Sequence, residues 1–187
     1  MTETLKKALE VLRQGGVILY PTDTIWGIGC DATNEKAVQR IYEIKQRANT
    51  KAMLVLMDST AKLQGYVQEV PALAWDLIEL NEKPLTIIYP HAKNLAANLI
   101  ADDGSIGIRI TREQFSKCLC EQFRKPIVST SANISGQISP KSFCEIDENI
   151  KNCVDYIVEY RQNETIIATA SSIIKLEVNG EIKIIRE

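Results

Sequence analysis

The sequence predicts an α/β fold: a twisted mixed β-sheet flanked by helices, in a single domain spanning residues 1–187. Its 187 residues are 45% hydrophobic and 25% charged, which suits one compact domain with a buried core. Short β-type runs alternate with amphipathic stretches along most of the chain. The last two runs flank Asn179-Gly180, a pair typical of a type I′ hairpin. The chain is therefore expected to end on antiparallel strands, which makes the sheet mixed.

The first part of the chain predicts two helices and two strands. The first helix is indicated by the helical spacing of Leu5, Ala8, Leu9 and Leu12, and Gly15-Gly16 supplies its stop. Two strands follow, joined by the turn PTDT (21–24): VILY (17–20) and IWGIGC (25–30). Asn34 is expected to cap a second helix, with Lys45 and Arg47 at or just beyond its last turn.

The middle of the chain continues the alternation. Four further strands are predicted: AMLVLM (52–57), LTIIY (85–89), IGIRI (106–110) and PIVST (126–130). Two helices lie among them: PALAWDLIEL (71–80) and REQFSKCLCEQF (112–123). The last of these strands runs into the polar loop SANISG (131–136).

Composition excludes several classes of protein. The net charge of −2 gives no global attraction to nucleic acid or anionic membrane. Five cysteines without CxxC spacing are typical of reduced packing residues, and the single histidine, His91, has no cysteine near it in sequence, so no metal site is expected. Neither a signal peptide nor an apolar run of membrane length is present. We expect a cytoplasmic protein without a membrane association.

Familiar catalytic motifs are also missing. The sequence has no GxxxxGK[ST] loop and no GxGxxG after a strand, and it lacks a GxSxG elbow. What remains is a set of hydroxyl, amide and cationic groups at the ends of predicted strands and helices, where α/β sheets hold ligands: Thr22, Thr24, Lys45, Arg47, Arg109, Ser131, Asn133, Ser171 and Ser172. Such groups bind anions. Taken singly, each has a structural explanation as a helix-end charge or a polar loop.

In combination, these residues resemble the YrdC-like threonylcarbamoyl-adenylate synthase family over nearly the whole chain. The similarity is carried by six ordered blocks: LYPTDTIWGIG (19–29), IYEIKQRANTKAMLVL (41–56), KPLTIIY (83–89), SIGIRI (105–110), PIVSTSANISG (126–136), and SSIIKL (171–176) with IIRE (184–187). The fifth block is the most specific. Departures fall in loops, where the family often has Gly-Pro or proline and this chain has Glu82-Lys83, Ala48, Ala52 and Thr111.

The resemblance implies an enzyme that makes threonylcarbamoyl-AMP and pyrophosphate from ATP, bicarbonate and L-threonine, for tRNA threonylcarbamoyladenosine modification. The carboxylate of N-carboxythreonine would attack the α-phosphate, so the substrates bring their own nucleophile. Mg²⁺ is expected on the ATP phosphates with few protein ligands. Contact with tRNA is a further implication, as is transfer of the product to other tRNA-threonylcarbamoylation proteins.

Site residues carry over from the family position by position. The resemblance implies charge neutralisation at the phosphates and the forming carbamate by Lys45 and Arg47. Threonine would be held by Thr24, Arg109, Ser131 and Ser171. The nucleotide side would comprise Arg47, Lys51, Ser105, Asn133, Lys141 and Arg186.

Three alternatives remain at the level of sequence. A relative that keeps the fold without synthase activity could serve as an RNA-binding module, although intact KQR (45–47) and SAN (131–133) oppose this. A carbamoyltransferase of hydrogenase maturation would sit in a longer chain with CxxC pairs. A scaffold or regulator would bind neither ATP nor threonine.

Overall fold

The computed structural model describes residues 1–47, 53–164 and 169–187. Five α-helices lie in these ranges: α1 Thr2–Arg13, α2 Glu35–Ile44, α3 Leu73–Leu80, α4 Gln114–Phe123 and α5 Glu148–Cys153. The strands there are β1 Ile18–Tyr20, β2 Gly27–Gly29, β3 Leu54–Met57, β4 Leu85–Tyr89, β5 Ile106–Ile110, β6 Ile127–Ser131, β7 Tyr156–Ile157, β8 Ser172–Leu176 and β9 Ile182–Arg186. Short 3₁₀ turns occur at Thr60–Gly65, Ala97–Leu99 and Phe143–Glu145.

All nine of these strands form one sheet, in the order β7-β1-β2-β6-β3-β5-β4-β8-β9. Three pairs are parallel, namely β1 with β7, β3 with β5 and β4 with β8. The other pairs are antiparallel. The predicted mixed sheet flanked by helices is confirmed.

Helices cover both faces of the sheet because alternate strand residues point to opposite sides. On one face, α2, α3 and α5 contribute to an apolar cluster with Leu19, Ile28, Val55, Val128 and Ile87. On the other face, α1 and α4 pack on Ile18, Tyr20, Leu56 and Ile127. The predicted stripe of α1 is buried, as expected.

The end of α2 fixes where the KQR segment leaves the helix. Arg47 N donates to Tyr42 O at 2.9 Å and Gln46 N to Glu43 O at 3.0 Å, which is the Schellman arrangement. Gln46 takes the left-handed position of this motif, with φ of 48°, although glycine usually occupies it. Lys45 and Arg47 are therefore held on either side of a tight backbone reversal.

Several predicted boundaries and turns differ from the structure. The fourth helix begins at Gln114, not Arg112, because the Glu113 carboxylate accepts from Phe115 N at 3.1 Å and Ser116 N at 2.7 Å and acts as the N-cap. The prediction of a type I′ turn at Asn179-Gly180 was wrong. Only Gly180 has a positive φ, of 85°, and it follows a turn in which Gly180 N donates to Glu177 O at 2.9 Å. This is a three-residue loop ending in a left-handed glycine.

All five cysteines are free thiols. Cys30 and Cys120 are buried, as expected of packing residues, whereas Cys144 and Cys153 are exposed. Within the described ranges, no helix has the length and hydropathy needed to cross a membrane.

Candidate active site

A cavity of about 290 Å³ opens on the sheet face that also carries α1 and α4. Leu56 and Ile127 lie under those helices, whereas Leu54 and Ser129, two residues along the same strands, line the cavity. Since the side-chain period of a strand is two, one face of the sheet is apolar at one end and polar at the other. The cavity is the part of this face that the helices leave open.

The cavity lining is cationic and rich in hydroxyl groups. Among the described residues it includes three arginines and no aspartate or glutamate, with hydroxyls from Thr24, Thr86, Ser105, Ser129, Thr130, Ser131, Ser139 and Ser171. The arginines are Arg47, Arg109 and Arg186. Burial lowers the pKa of Arg47, and burial together with the Arg109 charge lowers that of Arg186. The site is therefore built to receive an anion.

The turn between β1 and β2 holds one of these arginines. Thr24 Oγ1 accepts from Arg109 Nη2 at 3.2 Å and lies 3.0 Å from Thr22 Oγ1. Thr22 Oγ1 in turn donates to Ile25 O at 2.8 Å and accepts from Thr24 N at 3.1 Å. From the outer side, Arg161 Nη1 donates to Thr22 O at 3.0 Å. The two threonine hydroxyls thus fix the turn against β5.

Lys45 joins the end of α2 to the loop after β6. Its ammonium donates to the carbonyl oxygens of Ser131 and, at 2.6 Å, Asn133, and the side chain is fully buried. Burial and the Arg47 charge lower the pKa of Lys45 to about 7, whereas the two carbonyls favour the protonated form. Ser135 N donates back to Lys45 O at 2.9 Å. KQR and TSAN are therefore one connected unit.

Asn133 shapes the same loop with its side-chain amide. Its Nδ2 donates to Ile134 O at 2.9 Å and Gln137 O at 2.8 Å. Its Oδ1 is buried and accepts no hydrogen bond from a described residue. The side-chain amide therefore stabilises the loop through its two donated hydrogen bonds.

The far wall of the cavity comes from β4, β8 and β9. Ser171 Oγ lies 2.8 Å from Thr86 Oγ1, and Ser171 O accepts from Arg186 Nε at 2.9 Å and Nη2 at 2.6 Å. A register shift pairs Arg186 with Ile173, although Ile184 pairs with Ile174, so that Ile185 is an extra residue on β9. The bulge brings Arg186 opposite a residue that lines the cavity.

Ser105 is a buried residue of the cavity lining and contacts a charged cluster. Its Oγ donates to Asp103 Oδ1 at 2.5 Å, and Lys175 Nζ contacts Asp103 Oδ2 at 2.9 Å. The hydrogen bonds from Ser105 and Lys175 lower the pKa of Asp103 to about 2. Ser105 can still accept a hydrogen bond from a ligand.

Comparison with known proteins places this geometry in a family. The Sua5/YciO/YrdC family model, described as "Telomere recombination", matches residues 10–187. A threonylcarbamoyl-AMP synthase from Pseudoalteromonas translucida is 35% identical over 182 residues, which cover 96% of both chains. The chain belongs to the Sua5/YciO/YrdC family.

Solved structures of the Sua5/YciO/YrdC family have the same fold. P. abyssi Sua5 complexed with L-threonine has a TM-score of 0.84 at 28% identity, over 92% of this chain and 50% of that one. The present chain thus spans about half the length of the P. abyssi protein. E. coli YciO has a TM-score of 0.86 at 24% identity, over 100% of this chain and 90% of its own, a similarity that bears on the fold alone.

Most of the site residues implied by the YrdC-like resemblance lie around the cavity of the present protein. Its lining includes Thr24, Arg47, Ser105, Arg109, Ser131, Ser171 and Arg186. Lys45 and Asn133 are not among the lining residues in the described part of the chain. Both donate hydrogen bonds to the carbonyl oxygen of Ser131, which does line the cavity. Lys141 lies apart, on a small cleft with Thr24 and Arg161. Lys51 lies outside the described residues.

The cavity of the present protein also has lining residues that the sequence did not predict. Thr86 lies in β4 and Ser129 in β6, whereas Trp26 follows the PTDT turn (21–24) and Ser139 follows the SANISG loop (131–136). Hydroxyl residues within β-type runs were the available signal, since LTIIY contains Thr86 and PIVST contains Ser129 and Thr130, and all three line the cavity. Ser139 had no local signal.

Proposed function

We propose that this protein is a threonylcarbamoyl-AMP synthase, which forms threonylcarbamoyl-AMP and pyrophosphate from ATP, bicarbonate and L-threonine. The observation that carries the proposal is the charge of the cavity, where three arginines face eight hydroxyls without a lining carboxylate among the described residues. Two of the three substrates are anions and the third, threonine, carries a carboxylate. Such a lining suits all of them.

The proposed chemistry needs no nucleophile from the protein. The amine of threonine takes up the carbon of bicarbonate with loss of water, and gives a carbamate. A carbamate oxygen then attacks the α-phosphorus of ATP, and the bond to the bridging oxygen breaks as pyrophosphate leaves with the electron pair. The enzyme contributes position and charge neutralisation, which is what arginine and hydroxyl groups supply.

Each wall of the cavity has a proposed role. Arg47 neutralises the phosphates and the carbamate, while Lys45 fixes the loop that carries Ser131 and Asn133. Thr24, Arg109 and Ser171 hold threonine, and Ser105 and Arg186 contact the nucleotide. The adenylyl transfer makes the enzyme a nucleotidyltransferase.

Mg²⁺ is proposed to enter with ATP. Within the described ranges, no cluster of three or more His, Cys, Asp or Glu could hold a metal, and the lining provides hydroxyls instead of carboxylates. This donor set fits an ion whose ligands are mainly phosphate oxygens and water, as is common for Mg²⁺. The ion would neutralise phosphate charge.

Downstream steps are also proposals. The P. translucida relative bears the synthase name, which favours this function over an RNA-binding module without activity. The product would be consumed in tRNA threonylcarbamoylation by other proteins, and direct tRNA contact stays a prediction.

Product formation tests the proposal directly. The protein is incubated with ATP, Mg²⁺, bicarbonate and threonine, and threonylcarbamoyl-AMP is sought by mass spectrometry, with serine as the control amino acid. Arg47→Ala should abolish product formation with little change in melting temperature, because Arg47 lines the cavity outside the two apolar clusters. Arg13→Ala, which removes an exposed arginine of α1, should retain activity. Threonine-dependent pyrophosphate release by Arg47→Ala at the wild-type rate would contradict the assignment.

A further inference from the structure

Asp23 lies in the turn between Thr22 and Thr24, and its carboxylate contacts the arginine that lines the cavity. Asp23 Oδ1 is 3.0 Å from Arg109 Nη2, and both side chains are largely buried, with 11% and 3% of their surface exposed. The same Nη2 donates to Thr24 Oγ1. One turn therefore supplies both a hydroxyl and a charge to Arg109.

The carboxylate approaches the guanidinium from outside the cavity. Arg109 lines the cavity and Asp23 does not. Asp23 instead lines a separate cleft of about 270 Å³, together with Ile108, Ile110 and Arg112. The ion pair thus crosses the wall between two cavities, and Asp23 does not occupy the space of a ligand.

The contact leaves part of the guanidinium unused. It is close enough for an ion pair, yet Asp23 Oδ1 takes part in no directed hydrogen bond among the described residues. Arg109 Nε is likewise buried without a hydrogen-bond acceptor there. A buried N–H without an acceptor is unfavourable, so Arg109 keeps hydrogen-bonding capacity that its contacts within the described residues do not use.

Arg109 needs a counter-charge when the cavity is empty. A buried guanidinium is costly to desolvate unless an anion lies nearby. Arg186 adds a like charge, and it lies close enough for the Arg109 charge to lower the pKa of Arg186. Among the described residues the cavity lining contributes no carboxylate, whereas Asp23 does so from behind.

We propose that Asp23 is a positioning residue, which neutralises and orients Arg109 from behind so that its cavity side binds the carboxylate of the amino-acid substrate. This inference rests on the proposed function, because it assigns threonine to Arg109. Asp23 touches neither the substrate nor the reacting atoms. Its removal should weaken binding of the amino acid far more than binding of ATP.

The protonation state of Asp23 provides a second measurement. Burial of the carboxyl raises its pKa, and the Arg109 charge offsets this only in part. The Glu113 carboxylate of the α4 N-cap raises it further. On the cleft side, the charged lining residues are Glu82, Lys83 and Arg112. Acidification should therefore neutralise Asp23 and weaken threonine binding in the wild type.

The test is the dissociation constant of threonine, measured by calorimetry without ATP or bicarbonate. Asp23→Asn keeps the shape of the side chain and removes its charge, and Asp23→Ala removes both. We expect threonine to bind at least about tenfold more weakly to both variants, while the dissociation constant of ATP changes by less than about threefold. As the pH is lowered from neutral toward the usual titration range of an aspartate, wild-type binding should weaken, and binding to Asp23→Asn should not.

Asp31→Asn is the matched control, since Asp31 is a buried aspartate paired with Lys125 at 2.7 Å and is absent from the described cavity lining. It should lower the melting temperature without changing threonine binding. Unchanged threonine binding in Asp23→Asn, or equal weakening for threonine and ATP, would overturn the inference. The wild-type pH series decides the matter if the variants do not fold. If the wild type binds no threonine and forms no product, the proposed function itself fails.

Discussion

The ammonium of Lys45 donates to the carbonyl oxygen of Asn133 at 2.6 Å, and so joins the end of α2 to the loop that follows β6. The two residues are far apart in sequence, and each belongs to a segment with its own cavity residue, Arg47 or Ser131. The spacing between Arg47 and Ser131 depends on this link. Lys45 is therefore a structural tie within the site.

Lys45→Met should test the tie. Methionine keeps the length of the side chain but leaves the Asn133 carbonyl without its donor, at a cost of about 1–3 kcal/mol in the free energy of unfolding. Synthase activity should fall at least about tenfold, because the loop loses its position. Lys36→Met, on an exposed position of the same helix, is the control for urea unfolding and product formation. Equal activity in both variants would show that the link is dispensable.

Gln46 stores backbone strain between Lys45 and Arg47. A φ of 48° costs an L-residue about 1–2 kcal/mol. Glycine avoids this cost, although the greater freedom that it gives the unfolded chain offsets part of the gain. Gln46→Gly should therefore raise the free energy of unfolding by roughly 0.5–1 kcal/mol. Gln39→Gly, inside α2, should lower it by about 1 kcal/mol. Urea denaturation of both variants gives the signs, and destabilisation by Gln46→Gly would refute the strain.

The helices and strands of this fold could largely be predicted because their apolar residues recur with clear periods. α1 and α2 are examples. The six-residue helix α5 and the two-residue strand β7 were missed, since segments of that length show no period.

The site residues could be predicted by type and position at element ends, but not by partner. Antiparallel pairing of Gly27 with Ser131 brings two distant loops together, and no local pattern encodes it. The same holds for Asp23, whose importance depends on Arg109 lying across the turn. Long-range pairing is decided by the whole sheet, which is why sequence periodicity cannot report it.

Asp103 should stabilise the fold near neutral pH, and this contribution should be lost in acid. Its pKa of about 2 lies below the usual 3.8, so its contacts with Ser105 and Lys175 stabilise the fold fully above about pH 4. This contribution is lost as the pH falls through about 2, where the carboxyl is protonated in both states. The melting temperature of Asp103→Asn should therefore lie below that of the wild type near neutral pH, and the difference should shrink under acid. A difference that is constant with pH would contradict this role.

Trp26 should report nucleotide binding. It lines the cavity and packs on Phe143 at 4.9 Å, whereas Trp75, the other tryptophan, lies on α3. A ligand that displaces water from the cavity changes the surroundings of the indole ring. In Trp75→Phe, the fluorescence of Trp26 should therefore still change saturably with ATP, and its emission should shift to shorter wavelength. Trp26→Phe should lose it, while calorimetry still detects binding. An equal optical change in both variants would contradict this expectation, and would place the bound nucleotide away from the wall that contains Trp26.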